Sequence, residues 1–131
     1  MGLTRSVFGH THKLWNAVAV ADSDGSTRVE SSGLSLDGHE DFAVAFEAVS
    51  ITGTPAVRLF YEVSYEDVDG SYIQPTDVNG TTVPDITTNL ADENKHHQTI
   101  SPPVAKFIRF VAIGLATNPS DTTITLRLLR Q

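Results

Sequence analysis

The feature that most constrains the fold is a stretch of alternating side chains that stops at an Asp-Gly pair. From Val57 to Tyr65, in VRLFYEVSY, every second residue is apolar or aromatic, and the residues between them are polar except for Phe60. Because a strand sends successive side chains to opposite faces, this alternation predicts a half-buried β-strand. Asp69-Gly70 then predicts a turn, since glycine accepts a positive φ.

The same period of two recurs along the chain. It is found in DFAVAFEAVS (41–50) and TTITLRLLR (122–130), whereas KFIRFVAIGLA (106–116) is apolar on nearly both faces, as in a central strand. Three shorter candidates, LWNAVAVA, STRVES and GLSLDG, are bounded by Gly, Ser or Asp. Helical spacing is absent, and at most one helical turn is predicted, near Ala91 to Lys95. The sequence therefore predicts an all-β fold, an antiparallel β-sandwich with long loops.

The alternation also predicts which side chains form the core and which strands are neighbours. The strands at 42–48 and 57–65 are expected to pair, with Gly53 and Pro55 turning the chain between them. Tyr61 and Tyr65 share the apolar face of their strand and are expected to be core or interface residues. The predicted core consists of Phe42, Val44, Phe46, Leu59, Tyr61, Val63, Ile108, Phe110, Leu126 and Leu128.

The chain length fits one domain, which we divide into an N-terminal arm (1–13) and the sandwich (14–131). The arm shows little alternation, yet it contains Leu3, Val7 and Phe8. A free arm would leave these side chains in water, so we predict that they lie in an interface. An equally open alternative is that the arm adds an edge strand to its own sandwich. The polar segment from Ser71 to Pro103 is predicted to form long loops with one or two short strands, and its loops are expected to carry contacts.

Composition excludes several classes of function. The chain has no cysteine, so the core alone must stabilise it, and a reducing cytoplasm is compatible with the fold. The N-terminal stretch has no apolar run of seven or more residues, and nowhere are eighteen apolar residues consecutive, so neither a secretion leader nor a membrane span is expected. Sixteen acidic against nine basic residues give a net charge of −7, which repels phosphate backbones and anionic lipid. Neither a nucleic acid nor a membrane is expected as a partner.

The residues that carry metal or catalytic chemistry are present only in incomplete sets. The histidines of GHTH, DGHED and KHHQ lack the spacing and the cysteines of a familiar zinc site, so we expect loop histidines and no metal. DSDG and YEDVDG begin like calcium loops but do not continue as one, which favours simple turns. No Gly-x-Ser-x-Gly elbow, cysteine nucleophile or glycine-rich phosphate loop occurs. The sequence thus predicts neither an enzyme nor a cofactor.

Aromatic side chains that stack on sugar rings are the remaining signal of a binding site. Because Tyr61 and Tyr65 are assigned to the apolar face, the candidates that remain are Trp15 and Tyr72. Burial of these two residues in the core is the alternative interpretation.

Two stretches resemble small β-sandwich virion proteins of tailed phages. GTPAVRLFYEVSYEDVDGSYIQP is similar to a segment in which a strand with an aromatic and a Glu-Val-Ser end precedes an acidic-Gly turn. SPPVAKFIRFVAIGLA followed by TTITLRLL is similar in layout to the closing strands of discoidin-like and phage jelly-roll domains. Discoidin domains usually have bracketing cysteines and a secretion signal, which this sequence lacks. The phage resemblance therefore fits better, and it implies that the sandwich is jelly-roll-like.

The resemblance implies a virion structural protein, of the capsid decoration or cement type, that is made in the host cytoplasm and works by binding. Its partners would be the major capsid protein or other virion subunits, and related proteins are often homo-oligomers such as trimers. In that reading Leu3, Val7, Phe8, Trp15 and Tyr72 are the expected interface residues. The alternative is a carbohydrate-binding β-sandwich module on a phage or cell-surface fibre.

Overall fold

The computed structural model describes residues 10–36, 41–86, 95–102 and 105–130. Within these ranges the chain forms strands and no helix, so no described segment is a helix that could cross a membrane. The strands are β1 (His10–Ala19), β2 (Arg28–Glu30), β3 (Leu34–Ser35), β4 (Phe42–Val49), β5 (Val57–Ser64), β6 (Lys95–Ile100), β7 (Phe107–Gly114) and β8 (Thr123–Arg130).

The strands form two antiparallel sheets. The first sheet has the order β1-β8-β4-β6, which places β8 and β4 at its centre. In the second sheet, β7 is central: β5 pairs with it along its whole length, and the short strands β2 and β3 pair with its other side. The two sheets enclose one apolar core to which both contribute, so the predicted antiparallel β-sandwich is confirmed.

All ten predicted core residues are buried. In β4 the alternation is visible directly, because Phe42, Val44 and Phe46 point into the core and the alanines between them point outward. β7 is buried on both faces, as its continuous apolar run predicts. The period of two therefore gives the inward face of each long strand correctly.

The predicted pairing of the strands at 42–48 and 57–65 is wrong. β4 pairs with β6 and β8 in the first sheet, whereas β5 pairs with β7 in the second. The segment that contains Gly53 and Pro55 crosses from one sheet to the other. Both strands direct an apolar face at the same core, and alternation alone does not distinguish two strands that pair from two that face each other.

Of the two positions predicted for Tyr65, core or interface, the structure contradicts the core. β5 ends at Ser64, so the alternation that buries Tyr61 and Val63 stops before Tyr65. The Tyr65 side chain is 71% exposed. Of the predicted helical turn, residues 91–94 lie outside the described residues, and Lys95 begins β6.

Strand β1 begins within the segment that we assigned to the N-terminal arm. From His10 onwards the chain pairs with β8 at the edge of the first sheet. Residues 1–9 lie outside the described residues.

Candidate interaction site on the second sheet

A buried group of charged residues lies on the outer face of the second sheet. Arg109 and Glu62 stand directly opposite each other on β7 and β5, and the guanidinium Nε donates to Glu62 Oε1 at 2.9 Å. Arg109 also pairs with Glu30 of β2 at 3.0 Å, and Arg28 donates to the same Glu62 oxygen. The Glu62 carboxylate is 7% exposed and the Arg109 side chain is 10% exposed, so both charges depend on these partners.

Phe60, the exception to the alternation of β5, belongs to this outer face. It forms a small apolar cluster with Val111 and Ile113 of β7. The Arg58 guanidinium lies 4.2 Å from the centre of its ring, and that of Arg28 lies 5.7 Å away. Cations over an aromatic face are attracted to it, so the two arginines shield the ring from water while they hold carboxylates.

The charged residues on this outer face, which we call the charged face, hold a long loop, residues 65–86, against the sheet. Arg109 Nη1 donates to Asp69 at 3.0 Å, and the same guanidinium lies 4.4 Å from the centre of the Tyr72 ring. At the far end of the loop, Arg58 forms a bidentate pair with Asp85 at 2.7 and 3.0 Å. Hydrogen bonds and charge from Asp85 raise the pKa of Arg58. The 65–86 loop is thus anchored at two separated points.

The loop also has hydrogen bonds of its own. Ile73 and Val63 exchange backbone hydrogen bonds at 3.0 and 2.8 Å. This antiparallel bridge holds part of the loop along the edge of β5 that does not pair with β7. Further on, the Asp77 carboxylate accepts hydrogen bonds from the backbone N–H groups of Asn79 and Thr81. Backbone groups that are paired in this way give the loop a defined conformation.

Tyr72 is packed between Arg109 and the connection from β2 to β3. Its hydroxyl donates to Asp67 at 2.7 Å, and burial together with this contact raises the pKa of Tyr72. The Asp67–Tyr72 pair lies directly over Gly33. A Cβ added at Gly33 would stand 2.1 Å from Asp67 Oδ1 and 2.2 Å from the Tyr72 hydroxyl. Only glycine leaves room for the loop at this point.

The anchored loop presents apolar side chains to solvent. Among the described residues six large hydrophobic side chains are exposed, and four of them are in the 65–86 loop: Tyr65, Val68, Ile73 and Val78. Tyr65 and Ile73 border a groove of about 370 Å³, which Pro75 and Ala105 also line. We call this feature the Tyr65 groove. Its polar lining comes from Ser64, Glu66, Ser71 and Thr76.

Two of the predicted site residues are buried, as the alternative interpretation of Trp15 and Tyr72 has it. Trp15 is 4% exposed and Tyr72 is 7% exposed, so neither ring presents a face on which a sugar could stack. Trp15 belongs to the main core. Tyr72 is covered by Arg109. Leu3, Val7 and Phe8 lie outside the described residues.

The DSDG turn and His96 have local contacts. The Asp24 carboxylate accepts hydrogen bonds from Thr27 and Ser26, which lower its pKa, as in an ordinary Asx turn. The His96 ring is 2.9 Å from the side-chain oxygen of Gln98. In the described part of the chain no three acidic, histidine or cysteine side chains converge as a metal site. His39 lies outside that part.

Sequence reasoning missed the Tyr65 groove and the charged face behind it. One signal for the charged face is present, since Arg109 is a single charged residue within an otherwise apolar run that is buried on both faces. A buried guanidinium requires a carboxylate partner, and Glu62 occupies the outward position of the neighbouring strand. The exposure of Tyr65 depends on where β5 ends, which the alternation does not define.

The anchor at Asp69 predicts a response to acid. Hydrogen bonding and charge from Arg109 lower the pKa of the exposed Asp69 carboxyl below its unfolded value of about 3.9. The pairing therefore stabilises the anchored loop above about pH 4 and is lost as the pH falls through the lower folded value. We expect amide resonances of residues 66–72 to shift in this acid range before those of β7. In Asp69→Asn this local transition should be absent; its persistence would assign it to another carboxyl group.

The comparisons with known proteins bear on the fold. No protein-family model and no curated protein sequence matches the chain. Among solved structures, the SPBc2 prophage-derived protein YomS has the same fold with a TM-score of 0.55 and 7% identity, over 93% of this chain and 92% of that one. Chitosan-binding module 1 of a chitosanase/glucanase from Paenibacillus sp. IK-5 aligns over 95% of both chains with 16% identity, but its TM-score of 0.35 is too low to support an argument. The chain thus shares a β-sandwich fold with a prophage-derived protein.

Proposed function

We propose that this chain is a structural protein of a tailed-phage virion, which decorates or cements the capsid through protein–protein contacts and has no catalytic role. The observation that carries the proposal is the Tyr65 groove, an exposed apolar surface on a loop that two ion pairs, Arg109–Asp69 and Arg58–Asp85, hold against the sheet. The fold shared with a prophage-derived protein supports a phage origin. The expected partner is the major capsid protein or another virion subunit, so the protein would be found in the virion.

An anchored loop suits binding for an energetic reason. A partner that binds a flexible segment must offset the conformational entropy lost when that segment becomes ordered. Here Arg109 and Arg58 already order the loop through Asp69 and Asp85. Aromatic side chains in the centre of a contact commonly contribute most of the binding energy, and Tyr65 is an exposed tyrosine next to the apolar Ile73. The loop that forms the groove is therefore already ordered before a protein partner binds.

The proposal predicts loss of particle binding when the groove is made polar. Tyr65→Ser combined with Ile73→Ser should weaken binding about tenfold or more to capsid shells that lack this protein, because two apolar anchors are removed. Co-sedimentation with shells from the phage that encodes the chain measures this affinity. Ile51→Ser is the matched control, since Ile51 is 92% exposed but lies outside the loop.

Retained binding by the double variant, or equal weakening by the control, would contradict the role of the groove. Failure of the unaltered protein to bind any virion component would contradict the virion function as a whole. We also propose that the free protein is a homo-oligomer, such as the trimer that the phage resemblance implies, and sedimentation equilibrium of the protein without shells tests this.

Carbohydrate binding is the second candidate, and one observation favours it. The Tyr65 ring is exposed beside the hydroxyl groups of Ser71 and Thr76 and the carboxylate of Glu66. An aromatic face flanked by hydrogen-bonding groups is suited to a sugar ring. Glycan-array binding that disappears in Tyr65→Ala, together with no capsid binding, would replace the first proposal by this one.

A further inference from the structure

The outer face of the first sheet has a second groove, on the opposite side of the sandwich from the 65–86 loop. It has a volume of about 410 Å³, within the usual range for small-molecule sites. Ala43 and Ala45 of β4 line it between Thr99 and His97 of β6 and Leu129 and Arg127 of β8. This surface is separate from the Tyr65 groove, and the inference below goes beyond the proposed function.

The strand register extends one row of this groove across all four strands of the sheet. His97 pairs with Ala45, Ala45 pairs with Arg127, and Arg127 pairs with Lys13 of β1. Lys13, Arg127 and His97 are all exposed. The row therefore places a guanidinium and an ammonium side by side, with an imidazole across the groove.

The two cations of this row differ from the three arginines of the second sheet. Arg28, Arg58 and Arg109 each have a carboxylate partner. Neither Arg127 nor Lys13 forms an ion pair with any residue of the described ranges. On the described part of the outer face the acidic residue Glu47 is paired with Lys95 at 3.7 Å. In a chain of net charge −7, this surface is locally positive.

Like charges directly opposite on neighbouring strands destabilise a sheet. A bound anion between Lys13 and Arg127 would remove that cost. Guanidinium groups hold carboxylates with two parallel hydrogen bonds, and a carboxylate on a ligand in the groove would reach Arg127. The complementary ligand is therefore acidic.

The backbone of the sheet indicates what kind of acidic ligand fits. β4 and β8 are each paired on both sides, so their backbone groups cannot receive an added peptide strand. Recognition must come from side chains: the hydroxyl of Thr99, the imidazole of His97, the guanidinium of Arg127 and the aliphatic surface of Leu129. A compact ring with hydroxyl groups and a carboxylate matches this set. We propose that the groove binds a carboxylated sugar unit of an acidic polysaccharide.

Titration of the isolated protein with galacturonate trimer, followed by backbone amide resonances in NMR, tests the proposal without any virion component. We expect saturable shifts at residues 43–45, 97–99 and 127–129. The methyl-esterified trimer should bind about tenfold more weakly, because it has lost the charge that pairs with Arg127.

Three variants complete the test. Arg127→Gln should weaken binding of the acidic trimer about tenfold. Lys106→Gln removes one positive charge at an exposed position outside the groove and should leave binding unchanged. Ala45→Ile should abolish binding by filling the groove with no change in charge. The proposal is overturned if the trimer gives no saturable shifts, if its methyl ester binds equally, or if Arg127→Gln binds like the unaltered protein. A glutamate tripeptide that binds as tightly as the trimer would overturn the sugar assignment.

Discussion

Replacement of Arg109 by methionine is expected to lower the free energy of unfolding by about 3 kcal/mol, the lower end of the cost of breaking a buried ion pair. Methionine keeps much of the apolar stem, so the loss comes from Glu62, whose buried carboxylate retains only its contact with Arg28. The exposed Asp69 also loses its partner. Hydrogen exchange in residues 66–72 should therefore become faster as well.

Urea denaturation measures the change in stability. Arg127→Met is the matched control, because this exposed arginine has no ion pair with a described residue, and the substitution should change stability by less than about 0.5 kcal/mol. In Glu62→Gln combined with Arg109→Met the loss should be clearly smaller than the sum of the two single losses, since no buried charge is left without a partner. Equal effects of Arg109→Met and the control would show that the charged face does not stabilise the fold.

The contrast between Arg109 and Phe42 shows how far the sequence defines this fold. Phe42 lies in a strand with a regular period of two, and its burial follows from that period alone. Burial of Arg109 depends on a loop that begins more than forty residues earlier in the chain and folds over the sheet. Alternation records which side of a strand faces the core, but it carries no information about what covers the other side.

The same reason accounts for the aromatic residues whose position the sequence did not define. Tyr72 is in a polar segment with no period, so the sequence left both stacking on a sugar and burial open. In the structure Asp67 of the same loop accepts a hydrogen bond from its hydroxyl, and Arg109 covers its ring, a tertiary contact that no local pattern encodes. Tyr65 follows the alternation for one residue beyond the end of β5 and is exposed. The candidate site is thus formed by residues for which local rules and tertiary structure disagree.

Gly33 offers a way to displace the loop without altering any charged group. In Gly33→Ala the new methyl group would overlap the Asp67 carboxylate and the Tyr72 hydroxyl, so the start of the 65–86 loop must move away from the sheet. We expect a loss of about 2 kcal/mol in the free energy of unfolding, typical of an overpacked position. Amide exchange in residues 66–72 should accelerate, while the amides of β7 should remain more protected than those of the loop.

Ser32→Ala is the control for this substitution, because it introduces a methyl side chain at the neighbouring exposed position and should leave both stability and exchange unchanged. Introducing Gly33→Ala into an Asp67→Ala background should cost less than half as much as in the unaltered protein. Asp67 then no longer occupies the space above Gly33, and the Tyr72 hydroxyl, which has lost its acceptor, is able to shift. If Gly33→Ala is as stable as the control, or if Asp67→Ala gives no relief, the loop is not held over Gly33 as described. In either case the Tyr65 groove would lose the rigid support on which its proposed role depends.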